Sequence, residues 1–339
     1  MQKDSAARRI QSLAQHIVPR DTSGLLPDVD PDGLREYSVV YTDRAVNHMS
    51  AKFQDVMRGI SRILKSTYNA ATCAIIPGSG TYAMEAVARQ FGTNKKCMVI
   101  RNGYFSFRWS QIFSTCKIPS YEKVLMAKPV ESGKNPGFAP ESLETVVREI
   151  RSERPAVVFA PHVETASGII LPDDYLKAVA DAAHEVGAIF VLDCIASGCA
   201  WVDMKALGLD VVISAPQKGW SGPACSGLVM LSELATEVLE TSASTSFCVD
   251  LKQWVTVMKA YEDGGHKYYT TMPTDALTKF YQAMVEAERI GMGRVKSLQL
   301  QLGKEVRSVL SSLGIKSVAA EGFGAPGMST PTSATMGDL

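Results

Sequence analysis

From about residue 51 to residue 235, short apolar runs alternate with stretches in which apolar residues recur every three or four positions. Uninterrupted apolar runs suit strands buried on both faces, and a strand–helix–strand alternation builds a mostly parallel sheet covered by helices. Seven runs stand out as candidate strands, around Cys73–Ile76, Cys97–Ile100, Val124–Met126, Ala156–Phe159, Ala188–Leu192, Val211–Ser214 and Gly227–Leu231. Helical periodicity marks Thr81–Phe91, Glu141–Arg151 and Asp173–Val186 between them, then Asp250–Glu262 and Thr274–Leu313 beyond. The expected fold is α/β, with a seven-stranded, mostly parallel sheet between helices. The tail from Gly322 to Leu339 mixes Gly, Pro, Ser and Thr without a period.

The chain has 339 residues, 46% of them hydrophobic, enough for one large domain and a smaller one. Its 35 basic side chains balance 35 acidic ones. That balance argues against nucleic acid or an anionic membrane as a partner, because both are bound through a basic excess. No apolar stretch reaches eighteen residues, so no span is expected. The seven cysteines are scattered without a C-x-x-C pair, which reads as reduced thiols rather than a disulfide frame or a metal site. Near the N-terminus, Arg8, Arg9 and Arg20 accompany Ile10, Leu13 and Ile17 at helical spacing. Asp4 and the lack of a serine-rich stretch favour a surface helix over a transit peptide. A cytoplasmic location is expected, with mitochondrion and peroxisome left open.

Ligands of open α/β sheets collect where strands end and helices begin. The first such place is Pro77-Gly78-Ser79-Gly80-Thr81, directly before a helical pattern. Its glycines let backbone approach an anion, and Ser79, Thr81 and the free N–H groups of a helix start can hold a phosphate. A plain tight turn is the alternative. Neither the G-x-G-x-x-G dinucleotide spacing nor a G-x-x-x-x-G-K-[ST] loop occurs, which points to a smaller phosphorylated cofactor or substrate. Two further strand ends carry chemistry: one apolar run closes on Asp193, and the next leads through Ala215-Pro216-Gln217 into Lys218. At one rim of a sheet, a lysine amine can form a Schiff base with an aldehyde while a carboxylate keeps a pyridine nitrogen protonated. Separately, Asp193 reads as a turn cap and Lys218 as a solvated lysine; together with the phosphate turn they read as a pyridoxal 5′-phosphate site.

With those residues in view, the chain resembles the class V aminotransferases among the fold-type I pyridoxal-phosphate enzymes, in particular the alanine–glyoxylate and 2-aminoethylphosphonate–pyruvate aminotransferase group. The matching stretches are Pro77–Thr81, Asn102-Gly-Tyr-Phe105 with Arg108, His162–Gly168, Leu192–Ser197, Ser214–Gly219 and Tyr268–Pro273. The resemblance implies Lys218 as the Schiff-base lysine and proton carrier, and Asp193 as the partner of the pyridine nitrogen. It implies Ser79, Gly80, Thr81 and Gln217 at the phosphate. Tyr268 and Thr271 would reach that phosphate from the neighbouring subunit of a homodimer with shared active sites. Phe105 falls where relatives often stack Trp or Tyr on the ring. Ala166 replaces a common hydroxyl residue beside the 3′-oxygen, leaving Thr165 or Ser167 to supply the contact. His162 and Glu164 are read as fixing their loop rather than as catalytic, and Cys194 and Cys199 as small structural thiols. Trp220 reads as packing or as a pocket wall.

The resemblance implies transfer of an amino group from a small alanine- or serine-like amino acid to a 2-oxo acid such as glyoxylate or pyruvate, with ping-pong kinetics. It also implies residues 1–44 as an N-terminal segment, 45–285 as the large cofactor-binding domain and 286–339 as a small, truncated α/β domain. No arginine follows Arg307, although relatives grip the substrate carboxylate with one in that region. Two alternatives follow: a lyase of desulfurase or aldolase type on the same cofactor, or a cofactor-binding form impaired in turnover.

Overall fold

The computed structural model describes residues 46–330; the N-terminal helix expected from the sequence lies outside them. Helix α1 (Ala51–Tyr68) starts at Ser50, whose hydroxyl accepts the Phe53 N–H, and ends at Asn69 in the left-handed region. Phe53, Met57, Ile60 and Leu64 form its buried stripe.

The seven candidate strands pair into one sheet. They are β1 (Thr72–Pro77), β2 (Lys96–Arg101), β3 (Tyr121–Met126), β6 (Val157–Pro161), β9 (Ile189–Asp193), β10 (Val211–Ser214) and β11 (Ser226–Leu231). Their order is β1-β11-β10-β9-β6-β2-β3. Only β11 runs against its neighbours, pairing antiparallel with both β1 and β10. The other neighbours are parallel. Two hairpins lie outside the sheet: β4 (Lys128–Pro129) with β5 (Phe138–Ala139), and β7 (Val163–Glu164) with β8 (Ile169–Ile170).

Helices α2 (Gly80–Gly92), α3 (Tyr104–Cys116), α4 (Leu143–Glu153), α5 (Asp173–Glu185), α6 (Met204–Leu207), α7 (Glu233–Thr241) and α8 (Leu251–Glu262) complete the layers. The periodic stretch Thr274–Leu313 is two helices, α9 (Thr274–Ile290) and α10 (Met292–Ser312). Gly291, at φ +97°, separates them, although the apolar period runs on through this position. Beyond α10 the chain adds single bridges, Phe138 to Ala319 and Ile169 to Gly324. The Arg307 guanidinium donates to the carbonyls of Ala325 and Met328, pinning that segment to α10. Among the described residues no helix is long and apolar enough to cross a membrane.

Because β1, β2, β6, β9 and β10 point the same way, their carboxyl ends share one rim. Five of the sequence motifs sit in the turns that leave it.

Candidate active site

Helix α2 begins directly after β1, with Ser79 at its N-cap. The Ser79 hydroxyl makes no capping bond and the first turn carries no acidic side chain. Its positive end therefore faces outward uncompensated, an arrangement that attracts an anion. Ser79, Gly80 and Thr81 form one wall of a cavity of about 170 Å³, and Gln217 and Lys218 form another. Phe105, Thr165, Asp193 and Arg108 close it. Eight of the site residues expected from the sequence thus meet in one hollow.

Asp193 ends β9, opposite Ile213 of β10 and Pro161 of β6. Its side chain is buried, and Oδ1 accepts the Ile195 N–H at 2.9 Å. Burial pushes its carboxyl up to about 7, the Ile195 N–H opposing and Glu164 adding to the rise. Arg108 and Lys218 pull the other way through space. A further cation in the cavity, such as a protonated ring nitrogen, favours the ionised form of this carboxyl. Lys218 sits in the turn after β10 with its side chain exposed, and its side-chain amine makes no hydrogen bond or ion pair among the described residues. Its amine is free for chemistry. Helix start, buried acid, free amine and aromatic wall together fit pyridoxal phosphate.

The β7–β8 hairpin holds the aromatic wall in place. Glu164 is fully buried, and its Oε1 accepts the N–H groups of Phe105 and Ala166, both at 3.1 Å. Its Oε2 accepts the Ser106 N–H at 2.8 Å and the Ser106 hydroxyl at 2.7 Å. With three of these bonds on the start of α3 and the fourth within its own hairpin, Glu164 is placed as an anchor of these two segments. His162 Nδ1 lies 2.7 Å from Ser197 Oγ, and the His162 N–H donates to the Asp193 carbonyl at 2.8 Å. Burial pushes its imidazole down to about 3, so it stays neutral and ties two rim loops together. Ser167 donates its hydroxyl to the Asn102 carbonyl at 2.9 Å. Of the two hydroxyls left open by Ala166, it is Thr165 that faces the cavity.

Arg108, matched in the motif but given no role there, reaches across from α3. Its Nη1 donates to Thr81 Oγ1 at 3.0 Å, and its guanidinium lies 5.3 Å from the Phe105 ring centre. Tyr268 and Thr271 do not join this hollow. They lie on an exposed loop with their hydroxyls 3.5 Å apart, the Tyr268 ring 5.5 Å from that of His48. Trp220 is no pocket wall either; it stacks in the core on Trp201 with ring centres 4.5 Å apart. Cys194 is buried and its thiol pushed up by burial, which leaves it unreactive. Arg307 lines a separate hollow beside Glu131 and Lys316.

The family model described as aminotransferase class-V matches residues 32–322. A 2-aminoethylphosphonate–pyruvate transaminase of Vibrio vulnificus (strain YJ016) is 27% identical over 281 residues, 81% of this chain and 71% of that protein. An L-aspartate–glyoxylate aminotransferase of Paracoccus denitrificans (strain Pd 1222) is 24% identical over 276 residues, 80% of this chain and 66% of its own length. Among solved structures, an alanine–glyoxylate aminotransferase from Nostoc sp. superposes with a TM-score of 0.71 at 20% identity, covering 83% of this chain and 72% of that one. The last similarity is one of fold.

Proposed function

Because the chain belongs to the class-V aminotransferases, we propose that it is a pyridoxal 5′-phosphate-dependent transaminase moving an amino group from a small alanine- or serine-like amino acid to a 2-oxo acid such as glyoxylate or pyruvate. The observation that carries this reading is the convergence of Asp193, Lys218 and the acid-free start of α2 on one cavity.

When bound, pyridoxal phosphate supplies a conjugated electron sink for the carbon that carries the amino group. Ser79, the helix-start N–H groups of Gly80 and Thr81, and Gln217 bind its phosphate. Arg108 holds the Thr81 hydroxyl so that its own proton points toward the anion. Phe105 orients the ring by stacking, and Thr165 meets its edge. Asp193 keeps a proton on the ring nitrogen, its own carboxyl ionised by that neighbour. Lys218 Nζ would hold the cofactor covalently, and as a free amine the same nitrogen would take up and return the proton of the donor's α-carbon.

Tyr268 and Thr271 lie exposed outside the cavity of their own chain; in this reading they complete the phosphate site of a second copy, and the enzyme is a homodimer. In the same reading residues 45–285 are the cofactor-binding domain and 286–339 belong to a small C-terminal domain, in a cytoplasmic enzyme. The test is the purified chain loaded with pyridoxal phosphate and offered amino donors one at a time. Conversion of bound cofactor to the pyridoxamine form with release of a 2-oxo acid is expected. Release of sulfide or an aldehyde with no oxo-acid requirement would instead identify a lyase.

A further inference from the structure

We infer that Gln299, on helix α10 and outside the cofactor cavity, is a positioning residue for the Lys218 turn. The inference rests on Lys218 as the cofactor-bearing residue. Gln299 directs its whole amide at the backbone of the loop that follows Asp193: Oε1 accepts the Cys199 N–H at 2.7 Å, and Nε2 donates to the Ser197 carbonyl at 3.2 Å. The loop offers one donor and one acceptor side by side, and a primary amide is the side-chain group that satisfies both. Between them sits Gly198 at φ +60°, where an added Cβ would stand 2.5 Å from Gln299 Oε1.

The far side of the same glycine meets the lysine turn. An added Cβ on Gly219 would lie 1.9 Å from the Gly198 carbonyl oxygen, so the two backbones touch directly, and Cys199 Sγ donates to the Gly219 carbonyl at 3.3 Å. Gly219 is the residue after Lys218. The stack Gln299, Gly198, Gly219 has no slack in it, and closely packed backbone passes a displacement on rather than absorbing it. Ser197 also holds His162, whose N–H binds the Asp193 carbonyl, so one amide on α10 bears on the loops of both the acid and the amine.

Amide hydrogen exchange of the full cofactor-free chain tests this without requiring turnover. The lysine turn has its own reporters, because Ser221 N–H is bonded to the Lys218 carbonyl and Gly222 N–H to the Pro216 carbonyl. Gln299→Met keeps the bulk and removes both bonds; exchange is expected to rise by roughly fivefold or more in 197–201 and also in 216–222, the scale of a lost hydrogen bond. Arg307→Met loosens a different tether of α10 and should leave 216–222 unchanged. Gln299→Glu, which keeps the Cys199 acceptor but repels the Ser197 carbonyl, gives an intermediate rise and serves if the Met variant fails to fold. In the loaded protein, Gln299→Met should release pyridoxal phosphate several-fold faster. Faster exchange confined to 197–201, or equal effects of Gln299→Met and Arg307→Met on 216–222, would overturn the inference. A wild-type chain that never attaches the cofactor to Lys218 would sink the transaminase reading instead, a result the exchange data do not depend on.

Discussion

Glu164 accepts both the backbone N–H and the hydroxyl of Ser106 on one carboxylate oxygen, at 2.8 and 2.7 Å, from a hairpin 58 residues away in sequence. This pairing fixes the start of α3 and with it Phe105, the aromatic wall of the cofactor cavity. Glu164→Ala removes the acceptor of three N–H groups and one hydroxyl, of which the Ser106 N–H is left buried without a partner. It should cost about 3 kcal/mol of stability and weaken cofactor binding, both measurable by thermal unfolding with and without pyridoxal phosphate. Were Glu164 an acid–base group, the loss would fall on turnover while stability stayed intact.

Asp193 is destabilising without its ligand. Its carboxyl is raised from 3.8 to about 7, so the folded state holds the proton more tightly than the unfolded one. That contribution to stability is complete below pH 3.8 and is lost as pH rises through about 7. In the cofactor-free protein Asp193→Asn should therefore raise stability above pH 7, by on the order of 3 kcal/mol, while cofactor function collapses. Unfolding curves of both proteins across pH 4–8 decide it; parallel curves would mean that Asp193 is already compensated.

His184 and Asp210 give the opposite location and a smaller effect. The pair lies at the other end of the strands, with His184 Nε2 2.9 Å from the buried Asp210 Oδ2. The hydrogen bond to Asp210 raises the imidazole above its ordinary 6.5. The resulting stabilisation is present below pH 6.5 and fades as pH rises through the raised value. His184 is partly exposed, so less than about 1 kcal/mol is expected, seen as a pH-dependent gap between wild type and His184→Gln. Asp210→Asn should cost more, about 2 kcal/mol, because Asp210 also accepts from Phe190 N–H and Ser232 Oγ.

Arg108→Met removes the N–H held on Thr81 and one of the two cations near Asp193. Cofactor affinity should fall by roughly tenfold, with fold stability little changed, as equilibrium dialysis would show. An unaltered affinity would place Arg108 outside the phosphate wall.

Six of the seven sheet strands were legible because they are buried on both faces and so written as apolar runs, whereas the edge strand β3, only partly buried, shows its run over Val124–Met126 alone. Asp193 and Lys218 were legible for a related reason: polar chemistry at the end of such a run has to face the rim. Helix α3 was harder to see, since its start is fixed by Glu164 from a distant hairpin as well as by the Ser106 hydroxyl on the Asn102 and Gly103 N–H groups. Gln299 could not be found at all, because its partners lie about 100 residues earlier and a lone glutamine on a helix carries no pattern. The break at Gly291 was hidden by an apolar period that continues on both sides of it. Tyr268 and Thr271 came from family resemblance, and within one chain they lie outside the cavity.

In the proposed reaction Lys218 carries the cofactor and yields it to an amino donor. Borohydride reduction of the loaded protein, followed by peptide mass mapping, tests it most directly. A pyridoxyl group on Lys218 is predicted, absent from Lys218→Ala and lost when a suitable amino acid is added before reduction. A label on another lysine, or one on Lys218 that persists unchanged in the presence of every donor, would contradict the account.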